Sequence, residues 1–254
     1  MNFFAFKSAA ERYAVGRLFF HTIVIARVRE FLSLTELLAR ALDVGCGTGL
    51  SSVALKEIAS RIVGIDAAPS MIAHAPTDAR INYSVAVAER LPFCEQAFDL
   101  ITLSQVSHWL DRKVFFAEAR RVLRPGRWLI AYDAYFSAQT IEHTDFQMWH
   151  EAIYLKNYPS PPRSPVALAA EDVAGTGFQL CEEERLQHTI SFTVEQLVEY
   201  LLTQSNVIAA VEGGTKEIGE VRDWLTKNVT PFFAGHDAAG FLFNVPIWYL
   251  QSTV

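Results

Sequence analysis

The segment of the sequence best suited to hold a ligand is a glycine-rich loop within residues 41–50, which read ALDVGCGTGL. Glycine at positions 45, 47 and 49 removes Cβ atoms where a turn needs unusual dihedral angles and where a ligand approaches the main chain. A helix beginning just after the loop would add free backbone N–H groups and the positive end of its dipole. The spacing predicts that the loop binds a ligand through its backbone.

Two common nucleotide-binding patterns do not fit this loop. The dinucleotide pattern G-x-G-x-x-G needs a glycine where the chain has Leu50. A P-loop needs a lysine followed by serine or threonine, and residues 50–52, LSS, supply no lysine. These departures disfavour NAD and nucleoside triphosphates and leave a nucleoside ligand that lacks a diphosphate.

A carboxylate suited to such a nucleoside follows the loop. Asp66 ends the apolar run 62–66 and lies 17 residues after Gly49, where its carboxylate can accept both ribose hydroxyls of an adenosine. Capping of the next turn is the alternative role for Asp66. The upstream glycine loop favours ribose binding.

Regular elements that would position these residues are predicted around them. Short β-branched runs at 41–45, 61–66, 81–87, 98–104 and 128–133 alternate with helical patterns, which predicts a parallel sheet with crossover helices. Asp111 can cap the helix before the fifth strand, and the segment 124–126, RPG, would end that helix. Residues 41–135 therefore form the predicted cofactor-binding half.

The remaining chain is assigned to the same single domain, 1–254. Residues 1–35 are predicted to form a helical lid, residues 136–178 an aromatic-rich cap with a proline-rich stretch, and residues 179–254 the remaining sheet and helices. Thr193 begins a capping box for an amphipathic helix. The run 240–251 predicts a terminal strand, and Pro246 predicts that this strand is an edge or is bulged.

Composition limits the class of protein and its partners. The chain has 254 residues, 51% hydrophobic, with a net charge of −6, and its acidic excess lies after residue 135. No cluster of five or six Lys or Arg residues is present, so nucleic acid is not a predicted partner. Three separated cysteines predict neither disulfides nor a metal site and favour the cytoplasm. Apolar runs are too short for a membrane span.

Four segments together resemble the class I S-adenosylmethionine-dependent methyltransferases, in particular the small-molecule enzymes similar to those of ubiquinone and menaquinone biosynthesis and to trans-aconitate methyltransferase. The segments read LDVGCGTG, VGIDAAPSMI, AERLPFCEQAFDLITLSQVSHWLD and FAEARRVLRPGRWLIAYD. The resemblance implies an α/β fold, a Rossmann-like three-layer sandwich with a seven-stranded, mostly parallel sheet, an antiparallel last strand and a helical cap. S-adenosylmethionine would be the cofactor and S-adenosylhomocysteine its product.

The resemblance also implies cofactor contacts along the chain, from the methionine portion through the ribose to the adenine. The implied residues are Asp43, Gly45, Cys46 and Gly47 for methionine, Asp66 for ribose, Ala67 and Met71 along the adenosine, Ala88 and Glu89 at the adenine edge, and Ser104 at the amino group of the cofactor. Val87 departs from the acid that the family often has before Ala-Glu. The position of Cys46 near a helix N-terminus would lower its pKa, and simple packing is the alternative.

Candidate residues for catalysis and acceptor binding are fewer. His108, in the loop after the fourth strand, is the candidate general base, and ordering of that loop is its alternative role. Trp109 would wall the acceptor pocket or pack under the next helix. Tyr13 and Arg17 share one helix face, where Tyr13 would cover the sulfonium and Arg17 would meet a carboxylate or remain solvated.

The sequence therefore predicts methyl transfer from S-adenosylmethionine to a small-molecule acceptor by in-line displacement. Alignment of the reacting atoms is the main contribution of the protein to such a reaction, and no metal is needed. A protein that binds S-adenosylmethionine without turnover, as a sensor or partner subunit, is the alternative hypothesis.

Overall fold

The computed structural model describes residues 6–140, 145–162 and 167–253. Contacts divide the chain into two compact units. The sheet unit comprises Phe19–Asp133, Arg163–Arg185 and Pro246–Val254, and the cap unit comprises Met1–Leu18, Ala134–Pro162 and Leu186–Val245. The predicted lid (1–35) and cap (136–178) are each divided between these units, and their covering roles stay predictions.

The described residues form eight strands and eleven α-helices. The strands are β1 Leu38–Val44, β2 Ala59–Asp66, β3 Ile81–Val85, β4 Phe98–Ser104, β5 Leu123–Tyr132, β6 Tyr135–Thr140, β7 Phe178–Phe192 and β8 Ala239–Ser252. The helices are α1 Lys7–Gly16, α2 His21–Phe31, α3 Leu50–Ala54, α4 Pro69–Ile72, α5 Arg112–Val122, α6 Asp145–Trp149, α7 Leu155–Asn157, α8 Ala170–Val173, α9 Val194–Leu202, α10 Ser205–Glu212 and α11 Ile218–Val229. A π-helical turn, His150–Tyr154, joins α6 to α7.

The sheet unit is built on five parallel strands in the order β3-β2-β1-β4-β5. The second half of β8 continues this order antiparallel to β5, from Trp128↔Gln251 to Tyr132↔Ile247. Every residue of β4 is buried, as expected for a central parallel strand covered on both faces. The predicted Rossmann-like architecture with its antiparallel strand is confirmed.

Local signals in the sequence account for the helix that precedes β5. The Asp111 side chain accepts a hydrogen bond from the backbone N–H of Val114 at 3.2 Å and so caps α5. Phe115, Ala119 and Val122 are buried along one face of this helix. The predicted cap of α5 is confirmed.

The cap unit has an aromatic core. In it, β6 pairs antiparallel with the first half of β8, including Phe136↔Phe243. The rings of Phe146, Trp149 and Phe241 are buried, and the centroid of Phe146 lies about 5 Å from each of the other two centroids. These rings form the interior of the cap unit.

Among the described residues, seven strands follow one another in the order β3-β2-β1-β4-β5-β8-β6, and β7 pairs with β8 as an eighth. Pro246 predicted that the last strand is an edge or is bulged. The prediction of an edge is wrong, since β8 pairs with both β5 and β6. Pro246 is tolerated there because β8 pairs with β6 up to Asn244 and with β5 from Ile247, so the proline falls between the two ladders.

The capping box that begins α9 gives a test of helix stability. The Thr193 hydroxyl accepts from the Gln196 N–H at 3.2 Å, and the Gln196 side chain accepts from the Thr193 N–H at 2.9 Å. Thr193→Ala is expected to lower the free energy of unfolding by about 1 kcal/mol, since one backbone N–H loses its acceptor. Urea denaturation checks this loss, and Thr193→Ser, which keeps the hydroxyl, is the matched control. Equal stabilities of the Ala and Ser variants would contradict the assignment.

Candidate cofactor and active site

The glycine loop joins β1 to α3 in a conformation that requires glycine. Gly45, Gly47 and Gly49 have φ values of 69°, 55° and 84°. A Cβ on Gly45 would lie 2.5 Å from Val106 Cγ2, and one on Gly49 would lie 2.5 Å from the Tyr83 hydroxyl oxygen. Val106 and Tyr83 therefore pack closely against the loop, and only residues without a side chain fit at these two positions.

Asp43 anchors the segment that follows this loop. Its fully buried carboxylate accepts hydrogen bonds from the Ser51 and Ser52 hydroxyls at 2.6 Å each and from the Thr102 hydroxyl at 3.1 Å. Burial raises the pKa of Asp43 to about 6, against the opposing effect of the three hydroxyls. The carboxylate thus ties β1 to the first turn of α3 and to β4, and its contact with a methionine portion stays a prediction.

Asp66 anchors the loop itself. One carboxylate oxygen accepts from the Gly47 N–H at 2.9 Å and the other from the Ala68 N–H at 2.8 Å. Burial raises the pKa of Asp66, and these two backbone donors oppose the rise. A carboxylate offers about four lone-pair sites, so about two remain for the hydroxyls of a ribose. The partly exposed Asp66 therefore fits a nucleoside with a free 2′,3′-diol.

The other predicted cofactor residues have varied environments. Met71 and Ala88 are buried and Ala67 is exposed. The Glu89 carboxylate accepts from the Asp111 N–H at 3.0 Å, and Ser104, at the end of β4, is buried. Their contacts with adenine and with the cofactor's amino group stay predictions.

Cys46 packs inside the loop. Its side chain is buried, and burial, followed by the charges of Asp43 and Asp66, raises the pKa of the thiol above its usual range. The expected lowering of this pKa by the helix dipole is wrong, because desolvation and two nearby carboxylates act in the opposite direction. The thiol stays protonated, and packing is its role in the loop.

The loops after β4 and β5 bring a histidine and a carboxylate together. His108 Nδ1 lies 3.7 Å from Asp133 Oδ2, and both side chains are about 6% exposed. The His108 ring is tilted against Trp109 at a centroid distance of 5.1 Å, and Trp109 is 37% exposed. Close by in the same unit, His21 Nδ1 and the Tyr132 hydroxyl lie 3.0 Å apart. The role of His108 as a base and that of Trp109 in acceptor binding stay predictions.

Tyr13 and Arg17 lie in the N-terminal segment, within the cap unit. The Arg17 guanidinium is 4.6 Å from the centre of the Tyr13 ring and 5.8 Å from that of Tyr200. The predicted shared helix face is wrong, because α1 ends at Gly16 and Arg17 has an extended backbone with φ −79° and ψ 141°. The guanidinium nevertheless makes cation–π contacts with both rings. The contacts of Tyr13 with a sulfonium and of Arg17 with a carboxylate stay predictions.

Several residues that shape the site were missed in the sequence. Ser51, Ser52 and Thr102 donate to Asp43. The only indication of this in the sequence is that they are polar residues in or close to a buried strand. Tyr83, on β3, packs against Gly49, and no local pattern indicates this contact. Asp133 ends the fifth predicted strand as Asp66 ends the second, so the rule that marked Asp66 would have marked Asp133 too.

Residues 6–140, 145–162 and 167–253 contain neither a membrane-spanning helix nor a metal-binding cluster. Within them no helix has the length and apolarity to cross a membrane. The same ranges hold no group of three or more His, Cys, Asp or Glu side chains placed to bind a metal ion.

Several known proteins that are similar to this chain are described as methyltransferases. A family model described as a methyltransferase domain matches residues 42–131. An O-methyltransferase of Aspergillus nomiae is 30% identical over 153 residues, which are 55% of this chain and 68% of that protein. A methyltransferase of Dictyostelium discoideum is 25% identical over 192 residues, 74% of this chain and 72% of that protein.

Coverage is smaller for some relatives. Malonyl-(acyl-carrier protein) O-methyltransferase of Hahella chejuensis is 39% identical over 116 residues, which are 43% of this chain and 40% of that protein. Among solved structures, a type II methyltransferase from Anaeromyxobacter dehalogenans has a TM-score of 0.68 at 23% identity, covering 88% of this chain and 94% of that one. This structural likeness supports the shared fold.

The raised pKa of Asp43 predicts a pH-dependent stability. Because the pKa is about 6 in the folded chain and 3.8 as the reference value, ionised Asp43 lowers stability progressively as the pH rises from 4 to 6. Asp43→Asn removes this titration, and the Ser51 and Ser52 hydroxyls can rotate to accept from the amide. The variant's free energy of unfolding, relative to wild type, is expected to rise by up to about 3 kcal/mol between pH 4 and pH 7.

Urea denaturation across this pH range measures the difference. Asp78→Asn is the matched control, since Lys56 lowers the pKa of the partly buried Asp78. The stability that ionised Asp78 contributes is lost mainly below its usual pKa of 3.8, so the stability of this variant relative to wild type is expected to fall only slightly as the pH rises from 4 to 7. A difference for Asp43→Asn that stays flat with pH would show that Asp43 is ionised throughout.

Proposed function

Because this chain belongs to the class I S-adenosylmethionine-dependent methyltransferases, we propose that it methylates an oxygen atom of a small-molecule acceptor. The cofactor carries a methyl group on a positively charged sulfur, which activates the methyl carbon toward attack. The protein then has to align the acceptor oxygen with that carbon. Proximity and orientation of this kind supply roughly 7 to 11 kcal/mol of a barrier.

The observation that carries the cofactor assignment is the arrangement of Asp66 against the glycine loop. Asp66 holds the Gly47 amide and keeps free lone pairs for a ribose diol. The backbone of 45–47 would hold the methionine portion, and buried Met71 and Ala88 would offer apolar contact to the adenine. Leu50 in place of a third patterned glycine disfavours a dinucleotide.

Support for an oxygen acceptor comes from the relatives. The Aspergillus nomiae and Hahella chejuensis proteins are both described as O-methyltransferases. A hydroxyl must lose its proton as its oxygen attacks, so methylation of a hydroxyl acceptor would use a general base. His108, buried in the loop after β4, is the residue that we assign to that role.

Calorimetric titration of the full chain tests the cofactor assignment. We expect S-adenosylmethionine and S-adenosylhomocysteine to bind and NAD not to bind. Asp66→Ala is expected to weaken S-adenosylhomocysteine by about 1.5 to 3 kcal/mol, because hydrogen bonds to a charged carboxylate are lost. Asp223→Ala, which removes one negative charge from an exposed face of α11, is the control with unchanged affinity.

Two results would contradict this assignment. Binding of NAD in the absence of any response to the adenosyl ligands would exclude a methyl-donor site. An unchanged affinity of Asp66→Ala for S-adenosylhomocysteine, with the variant folded, would place the ribose elsewhere.

A panel of acceptors tests the proposed chemistry. The full chain is incubated with S-adenosylmethionine and catechols, hydroquinones and small carboxylic acids, and S-adenosylhomocysteine is quantified by mass spectrometry. We expect product with at least one hydroxyl or carboxyl compound and none with its methyl ether or ester, which has no free oxygen to methylate. Ring-matched anilines and thiophenols are the controls for nitrogen and sulfur. Methylation confined to nitrogen, sulfur, protein or RNA would overturn the proposal.

A further inference from the structure

We infer that Asp133 is a positioning residue for His108, directing Nδ1 of the imidazole toward its own carboxylate and leaving Nε2 to take the proton of the acceptor hydroxyl. The inference rests on the proposed function for its catalytic part. Its structural part concerns the orientation of one imidazole against one carboxylate of the sheet unit and can be measured without an acceptor.

Sheet topology brings the two residues together. β4 and β5 are adjacent and parallel, and their last residues, Ser104 and Tyr132, are register partners. His108 lies in the short helical turn 107–109 that follows β4, and Asp133 is the first residue after β5. Carboxyl ends of neighbouring parallel strands open onto the same edge of a sheet, which is where such folds bind their ligands.

The surrounding backbone holds both residues in place. The Asp133 N–H donates to the Pro246 carbonyl at 3.2 Å, which ties it to β8. At the start of the β4 loop, the Gln105 N–H donates to the Tyr132 carbonyl at 2.9 Å, and Gln105 has a φ of 56°. A non-glycine residue in this left-handed region costs free energy and persists only where its surroundings fix it. The loop that carries His108 is therefore held against the end of β5.

Burial makes the pair electrostatically coupled. Both side chains are about 6% exposed, and His108 Nδ1 is 3.7 Å from Asp133 Oδ2. A buried carboxylate at this distance favours a proton on the facing nitrogen, both in the neutral Nδ1–H tautomer and in the imidazolium. The separation exceeds a hydrogen bond, as catalytic contacts often do before substrate binds.

The step that this geometry supports is a balanced proton and methyl transfer. Nε2 accepts the hydroxyl proton while the acceptor oxygen forms its bond to the methyl carbon. The bond between that carbon and sulfur breaks, and its electron pair stays on sulfur. Asp133 remains ionised and offsets the positive charge of the imidazolium, which afterwards releases the proton to water.

Long-range ¹H–¹⁵N correlation spectra of the ¹⁵N-labelled full chain test the positioning role, because they report the tautomer and pKa of each histidine. His108→Gln assigns the His108 signals by their loss. We expect neutral His108 to be the Nδ1–H tautomer in the wild type, and Asp133→Asn to lower the His108 pKa by about one unit or more. Asp99→Asn is the matched control, since Asp99 is another buried aspartate of the same sheet, paired with Arg124.

The outcomes separate the hypotheses. An Nε2–H tautomer of neutral His108 in the wild type overturns the inference, even if Asp133→Asn does not fold. A His108 pKa that is equal in Asp133→Asn and Asp99→Asn overturns it as well. Failure of the wild type to bind S-adenosylhomocysteine would overturn the proposed function and leave this spectroscopic result standing.

With a hydroxyl acceptor from the panel, the pH profile of kcat/KM tests the catalytic part. His108→Gln is expected to lower kcat by 10²- to 10⁴-fold. Asp133→Asn is expected to lower kcat and to shift the acidic limb of the profile to lower pH, in step with the His108 pKa, whereas Asp99→Asn keeps the wild-type limb. A wild-type kcat in His108→Gln would overturn the role of His108 as proton acceptor.

Discussion

The geometry of the site depends on one buried carboxylate. Asp43 has no exposed surface, and it gathers hydroxyls from the first turn of α3 and from β4 around the end of β1. Burial of a charge without such partners would cost several kcal/mol. The three hydroxyls offset this cost, and the same hydrogen bonds fix where the glycine loop ends and α3 begins.

The second carboxylate of the loop combines support with a capacity for binding. Asp66 uses one oxygen on Gly47 and the other on Ala68, so it fixes the loop and the start of the following segment together. A carboxylate that accepts two hydrogen bonds keeps about two further lone-pair sites. In the proposed function the same residue would therefore set both the shape of the loop and the affinity for the ribose, so a substitution there is best judged against a control that removes an unrelated charge.

Much of this arrangement could be predicted from the sequence because it is local. The glycine loop, the cap at Asp111 and the capping box at Thr193 are short patterns with a direct physical cause, and β4 has the predicted bounds. Pairings distant in sequence could not be predicted in this way. Pro246 suggested an edge strand, yet a proline is compatible with an interior strand that changes partner at that residue.

The same distinction between local and distant pairing applies to His108 and Asp133. A histidine in a loop has no assigned partner in the sequence, whereas the register of β4 with β5 places Asp133 beside it. The charges of the neighbouring groups then constrain the role of the His108–Asp133 pair. The Asp43 and Asp66 carboxylates place negative charge at the glycine loop, which suits the cationic ligand of the proposed function. The sulfur of that ligand would become neutral once the methyl group had left. In the proposed step, a proton taken by His108 would restore positive charge in the same unit, and the Asp133 carboxylate at the other nitrogen would stabilise that charge.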